Sequence, residues 1–352
     1  EGEVEKGFDE KRVGLSPAGV RELVSLGATV IVAADAGAEA SFRAEDYRQA
    51  GARIAYSNEE VIRRSDLIVK VGRPTEDELG YFNPGATLLS FLHLGIPCQE
   101  LVRALVEKRI TAIGFEIVQD QSGRLPILRI SSEIAGKMAL QLAGRLLENT
   151  SGGRGVLLGG VPGIPPADVI IIGGGTVGYF AARSFQGIGA SVYVLDSNLQ
   201  RLEDLDQLFR GQVVTALASR SNIEKHVDFA DVLITCASNP GRIAPVVVTE
   251  KMVEGMNPGS VIIDFSIDQG GCVETSKLTR SDEFLFTRHG VVHFCAPNVP
   301  SMVARTSSYG LTNALLPFLK AVVGAKGIEK ALGQERSLLR GLYSYGGYVS
   351  NR

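Results

Sequence analysis

Short apolar runs alternate with amphipathic stretches along almost the whole chain. GVRELVSLG reads as a helix and leads into ATVIVAA; SNEEVIRRS, with Ser57 and Glu60 spaced as a capping box, leads into DLIVKV. ATLLSFLH is followed by the helical PCQELVRALVEKR and then by ITAIGFEI, and this first series ends near residue 127. Apolar, β-branched runs separated by amphipathic helices predict βαβ units, because parallel strands need a long crossover between them. From about Ser132 to Asn149 (SEIAGKMALQLAGRLLEN) the pattern predicts a long helix, whose Ala135, Gly136, Ala139 and Ala143 suit close packing on another helix. After the glycine-rich SGGRGVLLGGVPGIPP, a second series opens at Ala167 and runs through VIIIGGG, SVYVLD, DVLITC and SVIIDFSID to VVHFCAPN. Helical pattern returns from about Thr306. The expected architecture is α/β, with two Rossmann-like domains with parallel sheets, linked by long helices. Residues 1–127 with 306–352 are expected to form a substrate (catalytic) domain and residues 128–305 a nucleotide-binding domain, with ligands in a cleft between them.

Composition narrows the function. At 352 residues the chain is long enough for two ordinary domains, and 45 % hydrophobic with 21 % charged residues is normal globular usage. The net charge is −3 with no basic block, so a nucleic-acid partner is not expected. No apolar run reaches the roughly 18 residues of a bilayer span, and EGEVEKGFDEKR is unlike a signal peptide. Cys98, Cys236, Cys272 and Cys295 are scattered without a C-x-x-C pair. Neither a disulfide framework nor a metal site is expected, and a reduced, cytoplasmic setting fits.

The chemistry starts at VIIIGGGTVGYFAARSFQGIGASVYVLD. Gly173, Gly175 and Gly178 form G-x-G-x-x-G directly after an apolar strand and at the opening of a helix. The first glycine permits the tight turn, the second lets backbone approach a pyrophosphate, and the third lets the helix lie against the sheet. The helix N-terminus offers N–H groups to the phosphates. A second strand ends in Asp196, which can accept from both ribose hydroxyls and would repel a 2′-phosphate, favouring NAD over NADP. Hydride transfer is the chemistry such a site implies, with a substrate over the nicotinamide and a proton acceptor beside it.

Four polar residues stand where apolar runs end or helices begin. Arg12 lies in DEKRVGLSP, Lys70 closes DLIVKVGRP, His93 closes LLSFLHLG, and Asp268 follows VIIDFSID ahead of Gly270 and Gly271. Ligands of open parallel sheets bind beyond the carboxyl ends of the strands, so together the four read as a site. Each also has an ordinary structural reading. Lys70 can snorkel to solvent, Asp268 can cap a turn, Arg12 can pair with Glu10, and His93 can be a core histidine bonded to a carbonyl. His226, His289 and His293 are read as structural, and the cysteines as small buried hydrophobes.

The chain resembles the alanine dehydrogenase family, whose relative is the NAD-binding domain of proton-translocating transhydrogenase. The resemblance covers nearly the whole chain. It is carried by KRVGLSPAGV, DLIVKVGRP, LLSFLHLG, SGGRGVLLGGVPG, VIIIGGGTVGYFAA, FSIDQGGC and APNVPSMVARTSSYGLTNA. It implies that Arg12 and Lys70, with Asn298, bind substrate and that His93 and Asp268 are the acid/base pair. It further implies that Ser132, Thr176, Val177, Arg201, Ala237, Ser238, Ile267, Asp268 and Asn298 join the glycines and Asp196 around NAD. The implied reaction takes L-alanine, NAD⁺ and water to pyruvate, ammonia and NADH, in amino-acid catabolism, and the implied assembly is a homohexamer.

Two other readings stay open at this level. One is a transhydrogenase nucleotide module, against which stand the absence of its R-A-Q-S-M-D-like loop near QSGRLPILRISSEIAG, the lack of its long insertion after the acidic ribose residue, and the aspartate at 268. The other is an opine-type or related dehydrogenase with another substrate. Its support is local departure from the family pattern: TCASNPGRIAP replaces a more apolar loop, and Ala218 stands where the family often has serine. The chain also lacks the initiator methionine and the first short strand with which relatives begin, and a missing strand would leave backbone groups unpaired.

Overall fold

The computed structural model describes residues 10–93, 98–237, 243–279 and 285–350. They divide into two compact units, residues 10–131 with 301–350, and residues 132–300. The divisions fall at 131/132 and 300/301, a few residues from those expected.

In the N-terminal unit, β3 (Leu67–Val69), β4 (Thr87–Ser90) and β5 (Thr111–Gly114) are parallel. β13 (Leu342–Tyr345) runs antiparallel to β5, and β14 (Tyr348–Val349) closes the sheet in the order β14-β13-β5-β4-β3. Every residue of β4 and β5 is buried, as strands covered on both faces should be. One core joins Leu89, Phe91, Ile113 and Phe115 to Leu311, Leu315 and Leu319 of the helix Ala304–Gly324. β1 (Ile31–Ala33) and β2 (Arg53–Ala55) form a separate parallel pair. Between this pair and β3 lies a cavity of about 580 Å³, lined by residues 28–33 and 65–72. Among the described residues no strand bridges the two sheets.

The other unit holds seven strands: β6 (Asp168–Ile172), β7 (Ser191–Asp196), β8 (Val214–Leu217), β9 (Val232–Thr235), β10 (Val261–Asp264), β11 (Leu285–Arg288) and β12 (Val291–Phe294). Their order is β11-β12-β10-β9-β6-β7-β8, all parallel except β11. The order reverses between β6 and β9, which puts a crevice for ligands at their carboxyl ends.

Two local expectations are corrected. The long helix spans Pro126–Leu146, starting before Ser132 and ending before Asn149. Proline suits the first helical turn, where its fixed φ fits and its missing N–H would have had no partner. The capping box at Ser57 is only half formed. Ser57 Oγ accepts from Glu60 N at 3.1 Å, but the Glu60 carboxylate takes the N–H of Tyr56 instead of that of Ser57. The small-residue stripe does serve close packing: a Cβ on Gly136 would lie 2.4 Å from the carbonyl oxygen of Val177, on the helix Thr176–Gly187. Among the described residues no single helix is long and apolar enough to cross a membrane.

Candidate active site

The glycine turn after β6 is shaped by close backbone contacts. Gly173 has φ 112°, and a Cβ there would sit 2.9 Å from Ala237 N. A Cβ on Gly178 would be 1.9 Å from the Gly173 carbonyl oxygen. Gly175, at the N-cap of the helix Thr176–Gly187, faces open space, with nothing within 4 Å of the Cβ position. A tight turn, an open approach and an uncapped helix start are what a pyrophosphate needs, so these residues fit a dinucleotide. Thr176 and Val177 form the first helical turn beside it.

Asp196, at the end of β7, is 5 % exposed. It accepts from Gly174 N (2.7 Å) and Asn198 N (2.8 Å), and Arg201 Nη1 lies 3.0 Å from Oδ2. The carboxylate therefore ties the glycine turn to the second strand, while Oδ1, which accepts from Asn198 N, retains a lone pair for a ribose hydroxyl. Ser132 lies on the helix Pro126–Leu146 and is half-buried.

Asp268 sits on the short 3-10 turn Ile267–Gln269, four residues beyond β10, and its carboxylate is exposed while Ile267 is buried. The loop is held from beneath. Asp264, 1 % exposed, accepts from Ser266 N (3.0 Å), Cys272 N (2.8 Å), Val273 N (3.3 Å) and Ser276 Oγ (2.8 Å). Gly270 and Gly271 close the turn at φ 102° and 85°. The Ala237 carbonyl accepts from Ser266 Oγ (2.9 Å) and Cys272 Sγ (3.1 Å), which joins this loop to the end of β9. Asn298 adopts φ 53° and its N–H points to Asp268 Oδ2 at 3.4 Å. Asp268, Asn298, Ile267 and Ala237 thus form one neighbourhood. Ser238 lies outside the described residues.

In the N-terminal unit, residues 11–16 run along hydroxyls at and after the turn Val299–Val303. Lys11 N donates to Ser301 Oγ, Val13 N to Ser308 Oγ and Ser16 N to Thr312 Oγ1, at 3.0, 3.0 and 2.7 Å. This fixes the backbone that carries Arg12. The Arg12 guanidinium is largely buried and makes a fork to Glu10 through Nε and Nη2, both at 2.7 Å, while Nη1 reaches Ser131 Oγ at 3.4 Å. Lys70, just past β3, donates to Glu78 Oε1 at 3.1 Å. The structural partner expected for Arg12 is therefore present, and Lys70 has one as well. Both cations also line the 580 Å³ cavity, along with Glu10 and Glu78.

His93 lies three residues past β4 and is exposed, so it is not a core histidine. Its imidazole stacks parallel to Phe91 with centroids 5.7 Å apart, and the Arg12 guanidinium lies 5.8 Å from the same Phe91 ring. The other histidines behave as structural. His293 is fully buried between Thr275 Oγ1 (2.8 Å) and the Val291 carbonyl (3.0 Å), and His226 Nδ1 faces the Asn222 carbonyl. His289 bonds Glu250 on the surface.

Sequence reasoning did not find Asp264, Glu116, Glu78 or Arg73. Asp264 and Glu116 each end or follow an apolar run, and a carboxylate there signals a group that must be satisfied by nearby donors.

The family model "Alanine dehydrogenase/PNT, N-terminal domain" matches residues 3–135, and "Alanine dehydrogenase/PNT, C-terminal domain" matches residues 139–352. The chain belongs to the alanine dehydrogenase/PNT family. It is 43 % identical over 343 residues to the alanine dehydrogenase of Methanococcus maripaludis, covering 97 % of this chain and 91 % of the relative. It is 43 % identical over 345 residues to alanine dehydrogenase 2 of Staphylococcus aureus, covering 98 % and 92 %. Among solved structures, an L-alanine dehydrogenase matches with a TM-score of 0.90 and 40 % identity over 99 % of this chain and 94 % of the other. A transhydrogenase from Sinorhizobium meliloti shares the fold, with a TM-score of 0.81 at 24 % identity over 99 % and 96 %. As an alanine dehydrogenase/PNT protein, the chain is a pyridine-nucleotide oxidoreductase.

Proposed function

We propose that this chain is an alanine dehydrogenase that catalyses reversible, NAD-dependent oxidative deamination of L-alanine to pyruvate and ammonia. The observation that carries the reading is that Arg12 and Lys70 line one cavity, with Arg12 and His93 against one Phe91 ring. Glu10 occupies the Nε–Nη2 edge of Arg12, so the Nη1–Nη2 edge can fork onto a substrate carboxylate. Lys70 keeps donors beyond the one given to Glu78 and directs them to the carboxylate or the developing carbonyl oxygen.

The Gly173–Gly178 turn and Asp196 would hold NAD⁺, which would supply the hydride acceptor for the substrate Cα–H. The chain's own groups then manage protons and water. Hydride departure leaves an iminium carbon; water adds to it, and the carbinolamine collapses to pyruvate and ammonia. His93 takes the proton released as water adds, because the unprotonated ring nitrogen of a neutral imidazole is a proton acceptor. Asp268 orients the water or the ammonium group and stabilises positive charge. The buried Asp196 carboxylate supports NAD over NADP, since a 2′-phosphate would meet its charge.

The test is absorbance of reduced nucleotide with a panel of amino acids and both cofactors. Alanine with NAD⁺ should give the highest kcat/KM, and His93→Ala should lose at least about 100-fold in kcat. Preference for another amino acid supports the opine-type reading instead. No alanine-dependent turnover by the isolated chain favours the nucleotide-module reading.

A further inference from the structure

The backbone that presents His93 is gripped from both sides. His93 sits at φ 45°, in the left-handed region that residues with a Cβ rarely adopt, so its conformation must be imposed by its surroundings. Glu116, 8 % exposed, accepts the N–H of Leu92 at Oε2 (3.2 Å) and the N–H of His93 at Oε1. Arg73 donates to the carbonyl oxygens of the same two residues, through Nε to Leu92 and Nη2 to His93. Both peptide donors and both peptide acceptors of the pair are thereby met by one anion and one cation. Tyr343 completes the arrangement, donating its hydroxyl to Glu116 Oε1 at 2.9 Å from β13. A Cβ on Gly114 would lie 2.2 Å from the Tyr343 ring, so the glycine at the end of β5 leaves the room that this bond requires. The strand end itself is anchored by Ser90 Oγ, which donates to the Gly72 carbonyl at 2.7 Å.

We propose that Glu116 and Arg73 are positioning residues that hold the Leu92–His93 backbone in its left-handed turn and so aim the His93 imidazole. Neither group needs to touch substrate. A carboxylate suits the task because it accepts at two oxygens at once, and a guanidinium because its planar fork serves two neighbouring carbonyls. The proposal rests on His93 exchanging protons in the reaction, and the experiment separates the two ideas.

Glu116→Gln keeps the shape but puts an NH₂ opposite one of the three donors. It should lower kcat about 10- to 100-fold, the scale of misplacing a reacting group by about 1 Å, with the KM for NAD⁺ unchanged. Arg73→Lys, which keeps a cation and several donors, should retain more activity than Arg73→Met. The His93 imidazole resonances, identified by their loss in His93→Ala, should shift in Glu116→Gln, with a displaced pH profile for kcat. On a His93→Ala background, Glu116→Gln should cause no further loss, because both act through one group. If Glu116→Gln does not fold, Tyr343→Phe removes a single donor and should give a smaller kcat loss with the same resonance shift. Unchanged imidazole resonances in a folded variant, or a loss that adds fully to that of His93→Ala, overturns the clamp. Full activity in His93→Ala with shifted resonances in Glu116→Gln instead overturns the acid–base role and leaves the clamp standing.

Discussion

Buried carboxylates do much of the organising at the scale of single residues. Asp264 takes four donors from the loop that displays Asp268. In Asp264→Asn an NH₂ replaces one acceptor oxygen and leaves buried N–H groups unmatched, which should destabilise the protein by about 2–3 kcal/mol in urea unfolding. Unfolding at the wild-type urea midpoint would show that the loop is held by other contacts. The thiols around this loop should be slow to react for the complementary reason. Burial pushes Cys272 up to about 11 and Cys295 up to about 12, and it raises Cys236 further. Thiolate is the reactive form, so titration of the folded protein with a disulfide reagent near pH 8 should find one fast thiol, Cys98, and four after denaturation. A second fast thiol would contradict that assignment.

The elements carry their information unevenly. The strand–glycine–helix unit at 168–187 was legible because each part is a local necessity: an apolar strand, a turn that rejects Cβ atoms and a helix start. Gly178→Ala shows how tight it is. The added methyl would meet the Gly173 carbonyl at 1.9 Å, and displacement of the loop should weaken NADH binding about tenfold or more, measured by nucleotide fluorescence. Unaltered affinity would mean the loop yields freely. Five strands escaped the hydrophobic pattern, the three-residue β2 among them. β8 and β11 sit at the two edges of their sheet and are largely exposed, and β13 and β14 form an antiparallel hairpin around Gly346 and Gly347. An edge strand has one neighbour, so its sequence need not be uniformly apolar. The start at Pro126 escaped for a different reason: the helix begins in a stretch that contains both Pro126 and Arg129, where apolar periodicity is weak.

At the scale of the whole molecule, His293 links stability to pH. It is fully buried on β12, and burial lowers its pKa below the ordinary value of 6.5. The unfolded chain therefore binds the proton first as pH falls. Stability contributed by the neutral imidazole is complete above about 6.5 and is lost progressively as pH drops from there through the folded-state value. His293→Gln should flatten that acid-side slope relative to wild type when thermal midpoints are compared from pH 7.5 to 5. Parallel curves for the two proteins would assign the slope to other groups. The sequence by itself determined the α/β class, the dinucleotide turn and the family, because these depend on periodicity and on residues adjacent in the chain. Only the tertiary structure decided which polar residues become partners. Glu116 reaches His93 across 23 positions and Tyr343 reaches Glu116 across 227. Arg12 and Lys70 line one cavity, and Asp264 gathers donors from both sides of a loop. Bonds of that kind depend on how strands are ordered and where the chain returns, and neither is written in the local spacing of apolar and polar side chains.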